Sequence, residues 1–146
     1  VLNGVEYVDS NTGKTVFSNY WPGSNNVSVN TNHPVKAFVF DNPMQLYTVV
    51  ADGTNTDRAT ALADVFANCA MASVNNGSTN TGQSSDMLDI STAATTATLD
   101  VRIVGLFEDD ANVDYSAVGH QYIVRLLGHF NSGFAAAVGT AANTGI

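Results

Sequence analysis

Four acidic residues lie close together between two apolar segments, and they form the densest group of side chains that could do chemistry. Glu108, Asp109, Asp110 and Asp114 offer the carboxylate oxygens that Ca²⁺ prefers in proteins. Their spacing does not match the twelve-residue calcium loop, and no bidentate Glu stands at its end. The sequence therefore favours a solvated acidic loop over a calcium site.

The residues that most often bind transition metals are few and far apart. His120 and His129 bracket a predicted strand, about 30 Å apart at the usual rise per residue, and His33 stands far from both in the chain. Cys69 is the only cysteine, which excludes an intrachain disulfide and any metal site built from several cysteines. A lone thiol is more often a small buried hydrophobic group than a nucleophile. We therefore expect no metal and no other cofactor.

No motif marks an active site. Ser and Asp are abundant, but the chain lacks the turn that exposes a nucleophilic serine in hydrolases. Gly77 and Gly82 lie in a polar loop without a following Lys, so a phosphate-binding loop is not indicated. Any two of the 13 acidic residues could in principle act as paired glycosidase carboxylates, yet nothing distinguishes a pair. We expect a protein that is not an enzyme.

The elements that would position these residues are mainly strands, and the clearest pair runs from Thr95 to His129. Alternating apolar residues precede and follow the acidic loop, which predicts two antiparallel strands, the first over 95–106. Arginines within apolar strands need carboxylate partners. We therefore expect Asp100, Arg102 and Arg125 to form a polar register across this pair, with Asp100 close to Arg125.

Two further hairpins are predicted earlier in the chain. The first joins strands near 5–8 and 15–19 through an Asp-Ser-Asn-Thr-Gly turn. The second joins Val35–Phe40 to Gln45–Ala51. Val35–Phe40 is apolar on nearly both faces, so it is predicted to be a central or interfacial strand. A short strand is expected at Met87–Ile90.

One segment changes from strand to helical periodicity. Ala59, Leu62, Ala63 and Phe66 follow the i, i+3, i+4, i+7 spacing of a helix, and Thr56 or Asp57 could cap it. A helix of about three turns is predicted, and a loop with a few turns is the alternative. The fold class is all-β, an antiparallel β-sandwich or small barrel built from hairpins, with at most one short helix near 57–68. We expect a single domain over 1–130 and a C-terminal tail of small residues over 131–146.

Composition restricts the partners. Only 12% of the residues are charged, against a usual share of about 25%, so Asn, Thr and Ser supply the polar surface. The net charge of −8 disfavours binding to nucleic acid and to anionic membranes. No apolar run approaches the roughly 18 residues of a membrane span.

Three segments are candidates for contact with a partner. Tyr20, Trp21 and Pro22 place two aromatic rings before a turn, although an aromatic plug on the domain's own core is the favoured interpretation. The loop over 74–85 is long and polar, which is typical of functional surface loops. The tail contributes one aromatic residue. The remaining candidates from the loop and the tail are Asn76, Gly77, Thr79, Asn80 and Phe134.

Several segments in order resemble one family, the capsid decoration (cement) or minor structural proteins of tailed bacteriophages, of the type found in phages of marine bacteria and cyanobacteria. The resemblance spans about 5–130. The segments are FSNYWPG at Phe17–Gly23, VFDNP at Val39–Pro43, VVADGT at Val49–Thr54, GSTNTGQSSDMLD at Gly77–Asp89, STAATTATLDVRIVGLFED at Ser91–Asp109 and YIVRLLGH at Tyr122–His129.

The resemblance implies a virion structural protein on the outer surface of the capsid. Its expected partners are the major capsid protein and further copies of itself, with a homotrimer expected because three-fold positions are natural joints in icosahedral shells. The family has no catalytic motif to transfer. Because the first residue is Val1 rather than Met, we also expect a preceding N-terminal segment. The alternatives are a β-sandwich that binds host-surface glycans through Tyr20, Trp21 and the Asn-rich loops and, more weakly, a hydrolase.

Overall fold

The computed structural model describes residues 1–73, 77–78, 81–110 and 114–128. They form eight strands and one helix, in the order β1 Leu2–Val8, β2 Thr15–Ser18, β3 Lys36–Val39, β4 Leu46–Val50, α1 Arg58–Ala63, β5 Asn68–Ser73, β6 Asp86–Ala94, β7 Val101–Leu106 and β8 Gln121–Leu126. The all-β class with one short helix, predicted from the sequence, is confirmed.

The chain divides into two compact units. The small unit comprises Val1–Asp41 and Asn75–Ser85, and the large unit comprises Asn42–Val74 and Asp86–Ile146. The expectation of a single domain over 1–130 stays a prediction, and the tail over 131–146 lies outside the described residues.

The small unit contains a three-stranded antiparallel sheet in the order β2-β1-β3. The predicted first hairpin is confirmed as β1 and β2, with Tyr7 opposite Val16. Its turn is stabilised by the Asp9 carboxylate, which accepts a hydrogen bond from the backbone N–H of Asn11 at 2.7 Å. Gly13 adopts a φ of 68°, a conformation that glycine reaches without strain.

The large unit contains a five-stranded sheet in the order β4-β8-β7-β5-β6, with every neighbouring pair antiparallel. Its core consists of fully or nearly fully buried side chains. They are Ala51, Ala61, Cys69, Leu88, Val101, Ile103, Tyr115, Tyr122 and Val124. The predicted pairing of the two strands around the acidic loop is confirmed as β7 and β8.

The predicted second hairpin is wrong. β3 pairs with β1, and β4 pairs with β8, so the Asp41-Asn42-Pro43 turn leads from one unit to the other. β3 is also not central, because it is an edge strand whose four residues are all exposed. The interfacial alternative stays a prediction.

The predicted strand over 95–106 begins later than expected. β6 extends to Ala94 and β7 starts at Val101, although the residues between them alternate as a strand does. The reason is topological, since β5 lies between β6 and β7 in the sheet. Residues 95–100 therefore cross the end of β5. A register shift at Val104 then places Leu106 opposite the buried Tyr122, on the core face.

The predicted helix is confirmed but is shorter than three turns. Asp57 is its N-cap, and its carboxylate accepts a hydrogen bond from the Thr60 amide at 2.8 Å. This arrangement satisfies one of the free N–H groups at the helix start. Phe66 has a φ of 73° and stands outside the helix, because the chain must turn there to enter β5 at Asn68. Ala61 is the buried residue of α1.

Candidate functional site: an aromatic surface on the small unit

The two faces of the small sheet differ sharply. Cross-strand pairing places Val5 and Tyr7 on one face, where both are buried. Because side chains alternate along a strand, Phe17 and Phe38 fall on the opposite face, next to Glu6 and Gly4, their cross-strand neighbours. Phe17 is 70% exposed and Phe38 is 46% exposed. Two large apolar rings therefore face solvent on one side of a three-stranded sheet.

Gly4 creates a hollow between these rings. It is the cross-strand partner of Phe38 and has no side chain to fill the space beside that ring. The resulting hollow of about 300 Å³ is called here the phenylalanine hollow. A Cβ at Gly4 would meet the Ser18 carbonyl oxygen at 3.0 Å, so a larger residue would both crowd β2 and fill the hollow. Its lining residues are Asn3, Gly4, Val5, Phe17, Ser18, Asn19 and Phe38.

The residues of the predicted aromatic turn have different surroundings. The Trp21 ring packs edge-on against the buried Tyr7, with ring centroids 5.9 Å apart, and it remains 37% exposed; its role as a cover for the unit's own core stays a prediction. Tyr20 and Pro22 instead line a second hollow of about 590 Å³, called here the tyrosine hollow. The Asn26 amide in its wall donates a hydrogen bond to the Pro22 carbonyl at 2.6 Å. The complete lining is Tyr7, Val16, Phe17, Ser18, Tyr20, Pro22, Asn26 and Val27.

Asn75–Ser85, which is the polar loop without its first residue, belongs to the same unit as the aromatic turn. Ser78 and Gln83 form a bridge that closes its described part, and Gly82 has a φ of 70°. The Asn19 amide donates to the Thr81 carbonyl at 2.6 Å. The structure therefore brings Thr81 and Gly82 against Asn19, which follows β2 and precedes Tyr20 in the chain, and Gly77 lies beside Gln83 in the same loop. Asn76, Thr79, Asn80 and Phe134 lie outside the described residues.

The polar register predicted for β7 and β8 lies in the large unit. Arg102 and Arg125 are direct cross-strand partners, an arrangement in which like charges oppose pairing. The Arg102 Nε donates to the Asn68 amide oxygen at 3.0 Å, and the Asp100 carboxylate accepts from the Met71 amide at 2.9 Å. The proximity of Asp100 to Arg125 stays a prediction.

The acidic loop after β7 contacts other residues of the large unit. Glu108 forms an ion pair with Arg58 and accepts a hydrogen bond from the Tyr115 hydroxyl at 3.3 Å. The Arg58 hydrogen bond lowers the pKa of Glu108, and the Ser116 hydroxyl lowers that of Asp114. Among the described residues, no three Asp, Glu, His or Cys side chains are arranged to hold a metal ion.

A polar cluster around the buried Tyr122 links the end of α1 to the large sheet, with Asn55 and Asp64 half-buried. The Tyr122 hydroxyl donates to the Asp64 carboxylate at 3.2 Å and accepts from the Asn55 amide at 2.6 Å. Burial, followed by the charge of Asp64, raises the pKa of Tyr122. Each group in this cluster already has a partner that joins separate segments, which is the arrangement of a structural network.

The two remaining reactive side chains are buried in the same unit. His120 is 3% exposed, its Nδ1 lies 3.2 Å from the Ala117 carbonyl, and its Nε2 has no hydrogen-bond partner among the described residues. The ring is packed between Tyr115 and Tyr122. Cys69 is fully buried, and burial raises the pKa of its thiol to about 12, so it remains a protonated core residue near neutral pH.

Phe17, Phe38 and Gly4 were not singled out individually from the sequence. The alternation of Val16 and Phe17 in TVFS was a usable signal, because strand periodicity requires that only one of them faces the core. The hollow itself depends on which residue of β3 faces Gly4, and that register is decided by the tertiary pairing.

Comparisons with known proteins bring no relative. No family model, no curated protein and no solved structure matches the chain. The helix in the described part of the chain, α1, has six residues and does not meet the length and apolarity needed to cross a membrane.

Proposed function

We propose that this chain is a non-enzymatic virion structural protein that binds the lattice of a phage major capsid protein and stabilises the capsid. The phage assignment rests on the sequence resemblance described above. The proposal that the chain acts by binding rests on one structural observation, the exposure of Phe17 and Phe38 on either side of the phenylalanine hollow.

Exposed phenylalanines of this kind suit a protein interface. Burying a large apolar side chain contributes about 1.5–3 kcal/mol, and interfaces concentrate aromatic residues at their centres with polar groups at the rim. Phe17 and Phe38 would form the apolar centre of such an interface, and the polar residues Asn3, Ser18 and Asn19 would form its rim. A protruding apolar side chain of the partner would contact the exposed rings of Phe17 and Phe38, whereas Gly4 beneath them is itself buried.

The distribution of charge between the two units also favours the small unit as the one that binds a partner. The small unit has two lysines and three acidic residues, a formal charge of −1, whereas the large unit has three arginines and ten acidic residues, a formal charge of −7. Desolvating a nearly neutral surface costs less than desolvating a charged one. Contact through the small unit is therefore the less costly way to attach this acidic chain to another protein.

Rebinding to stripped capsids tests this proposal. Capsids lacking the protein should lose resistance to heat and pressure, and the wild-type chain should restore it. Phe17→Ala and Phe38→Ala should each weaken rebinding about tenfold or more. Leu62→Ala, a matched change at an exposed residue of the large unit, should leave binding unchanged. Stripped capsids that are equally stable and still package DNA would contradict the stabilising role.

The alternative function, a glycan- or host-surface-binding module, is supported by the tyrosine hollow. Its volume falls within the usual range for small-ligand sites, about 300–1,000 Å³, and it combines the tyrosine rings with the amide of Asn26. A glycan array probed with the wild-type chain and with Tyr20→Ala distinguishes the two functions. Hits lost in the variant favour sugar binding, whereas an empty array together with uniform density over the capsid rejects it.

A further inference from the structure

We infer that the free edge of β3 pairs with β3 of a second copy, so that two small units form one continuous six-stranded sheet. The inference concerns the edge of β3 rather than the face that contains the phenylalanine hollow; Phe38 belongs to both, and the inference does not depend on the capsid role. It rests on the edge position of β3, its exposed apolar side chains, the position of Lys36 and the charge of the small unit.

β3 has one edge available for pairing. β1 occupies the other edge, with Ala37 opposite Val5 and Phe38 opposite Gly4, and among the described residues no strand lies on the outer edge. An edge strand presents a row of backbone N–H and C=O groups that another strand can pair with. All four residues of β3 are exposed, so a second strand can approach.

The side chains along this edge are apolar on both faces. Phe38, Val39 and Phe40 are 46%, 56% and 50% exposed. With Val35, which precedes β3, they expose on the order of 350 Å² of apolar surface, given the 150–250 Å² that one buried aromatic ring covers. A stable interface buries about 800 Å² per partner, and the backbone of the two paired edges adds to this apolar patch.

The usual protection of an edge strand is weakened here. Proteins commonly place a lysine on an edge so that its charge opposes pairing. Lys36 holds the matching position, but its Nζ lies 2.9 Å from the Glu6 carboxylate on β1. The charge is directed across the chain's own sheet and is compensated there. Pro34 precedes β3 and leaves the pairing segment intact.

A second copy is the occupant that the charge distribution favours. The small unit has a formal charge of −1, so two copies meeting through it repel each other little. Antiparallel pairing about a two-fold axis is self-complementary, because every contact occurs twice. An axis at Phe38 would place the two Phe38 rings opposite each other, Ala37 opposite Val39, and Lys36 opposite Phe40. This register matches small residues with large ones and forms an aromatic cross-strand pair.

The first test measures the mass of the purified chain by sedimentation over a wide concentration range. The wild-type protein should form a dimer, and Val39→Lys should weaken it about tenfold or more by placing two uncompensated charges in the edge. Leu62→Lys, the same type of change on α1, should not affect the mass. A monomer at all concentrations, or a trimer such as shell symmetry suggests, would overturn the inference.

The second test keeps the result interpretable if Val39→Lys disturbs folding. Phe38→Cys should form a disulfide-linked dimer under mild oxidation, because opposed strand residues have Cα atoms about 4.5–5.5 Å apart, within the range of a disulfide. Cys69 is buried and should not compete, and Leu62→Cys is the control. Equal cross-linking of Phe38→Cys and Leu62→Cys would refute self-pairing. Slow hydrogen exchange of the β3 backbone only when capsid protein is present would refute it as well.

Discussion

The two units of this chain use their apolar residues in opposite ways. The large unit buries residues such as Leu88, Ile103 and Tyr122 completely and has most of the negative charge. The small unit buries Val5 and Tyr7 but leaves Phe17 and Phe38 exposed, and it is almost neutral. Exposed aromatic rings do not stabilise an isolated unit, so we expect the large unit to supply stability and the small unit to supply binding.

The comparison can be followed separately in each unit. Trp21 is the only tryptophan and lies in the small unit, so its fluorescence reports on that unit. Circular dichroism and hydrogen exchange resolved by segment report on both. The predictions below run from the largest expected effect to the smallest.

Truncating the core of the large unit should have the largest effect. Ile103→Ala should lower the free energy of unfolding by about 2–5 kcal/mol, because it removes buried methylene groups and leaves a cavity. Val39→Ala on exposed β3 should change it by no more than about 0.5 kcal/mol. Urea unfolding followed by circular dichroism measures both. Equal losses would contradict the division of roles between the units.

Removing the Tyr122 hydroxyl should cost about 1–3 kcal/mol, because the half-buried Asp64 and Asn55 lose their shared hydrogen-bond partner. The effect also depends on pH. The folded-state pKa of Tyr122 is raised by burial and Asp64, so its stabilising contribution is complete below the unfolded pKa of about 10 and is lost as pH rises above it.

Stability curves of wild type and Tyr122→Phe at alkaline pH check this dependence. The wild-type curve should fall more steeply above about pH 10. Cys69, with a pKa raised to about 12, should cause an earlier decline that is common to both proteins and cancels in the comparison. Parallel curves throughout this range would contradict the raised pKa of the Tyr122 hydroxyl in the folded state.

Alanine substitutions at two glycines of the small unit test how the polar loop is held. Gly82 and Gly13 have φ values of 70° and 68°, so alanine should cost about 1–2 kcal/mol of backbone strain at either position. Only at Gly82 would the new Cβ also meet the Asn19 amide, at 2.6 Å. We expect Gly82→Ala to destabilise more and to speed hydrogen exchange around Thr81. Identical effects would argue that Asn19 does not hold the loop.

The helix cap should have the smallest effect. Asp57→Ala removes the acceptor of the Thr60 amide, whereas Asp57→Asn keeps an acceptor that cannot ionise in this range. The Thr60 hydrogen bonds lower the pKa of Asp57. Its contribution is therefore present above the unfolded pKa of about 3.9 and is lost as pH falls. Melting temperatures from neutral to acidic pH should show this loss in wild type but not in Asp57→Asn.

Local chemistry in the sequence was sufficient for the local elements. The Asp9–Gly13 turn, a helix cap at Thr56 or Asp57 and the β7–β8 pair were predicted because turn residues, capping side chains and strand alternation act over a few neighbouring residues. The apolar character of Val35–Phe40 on both faces correctly indicated a strand, but it did not reveal that the strand lies at the exposed edge of the small sheet.

Tertiary structure alone decided which distant segments meet. β3 pairs with β1 rather than with the next strand, β4, and residues 95–100 cross β5 instead of extending β7. Both outcomes depend on long-range pairing, whose closure cost and reward are shared among many residues and leave no local signal. The candidate interaction surface follows the same rule. The sequence by itself determined that Phe17 and Phe38 lie on strands, and only the register with β1 placed them on either side of Gly4.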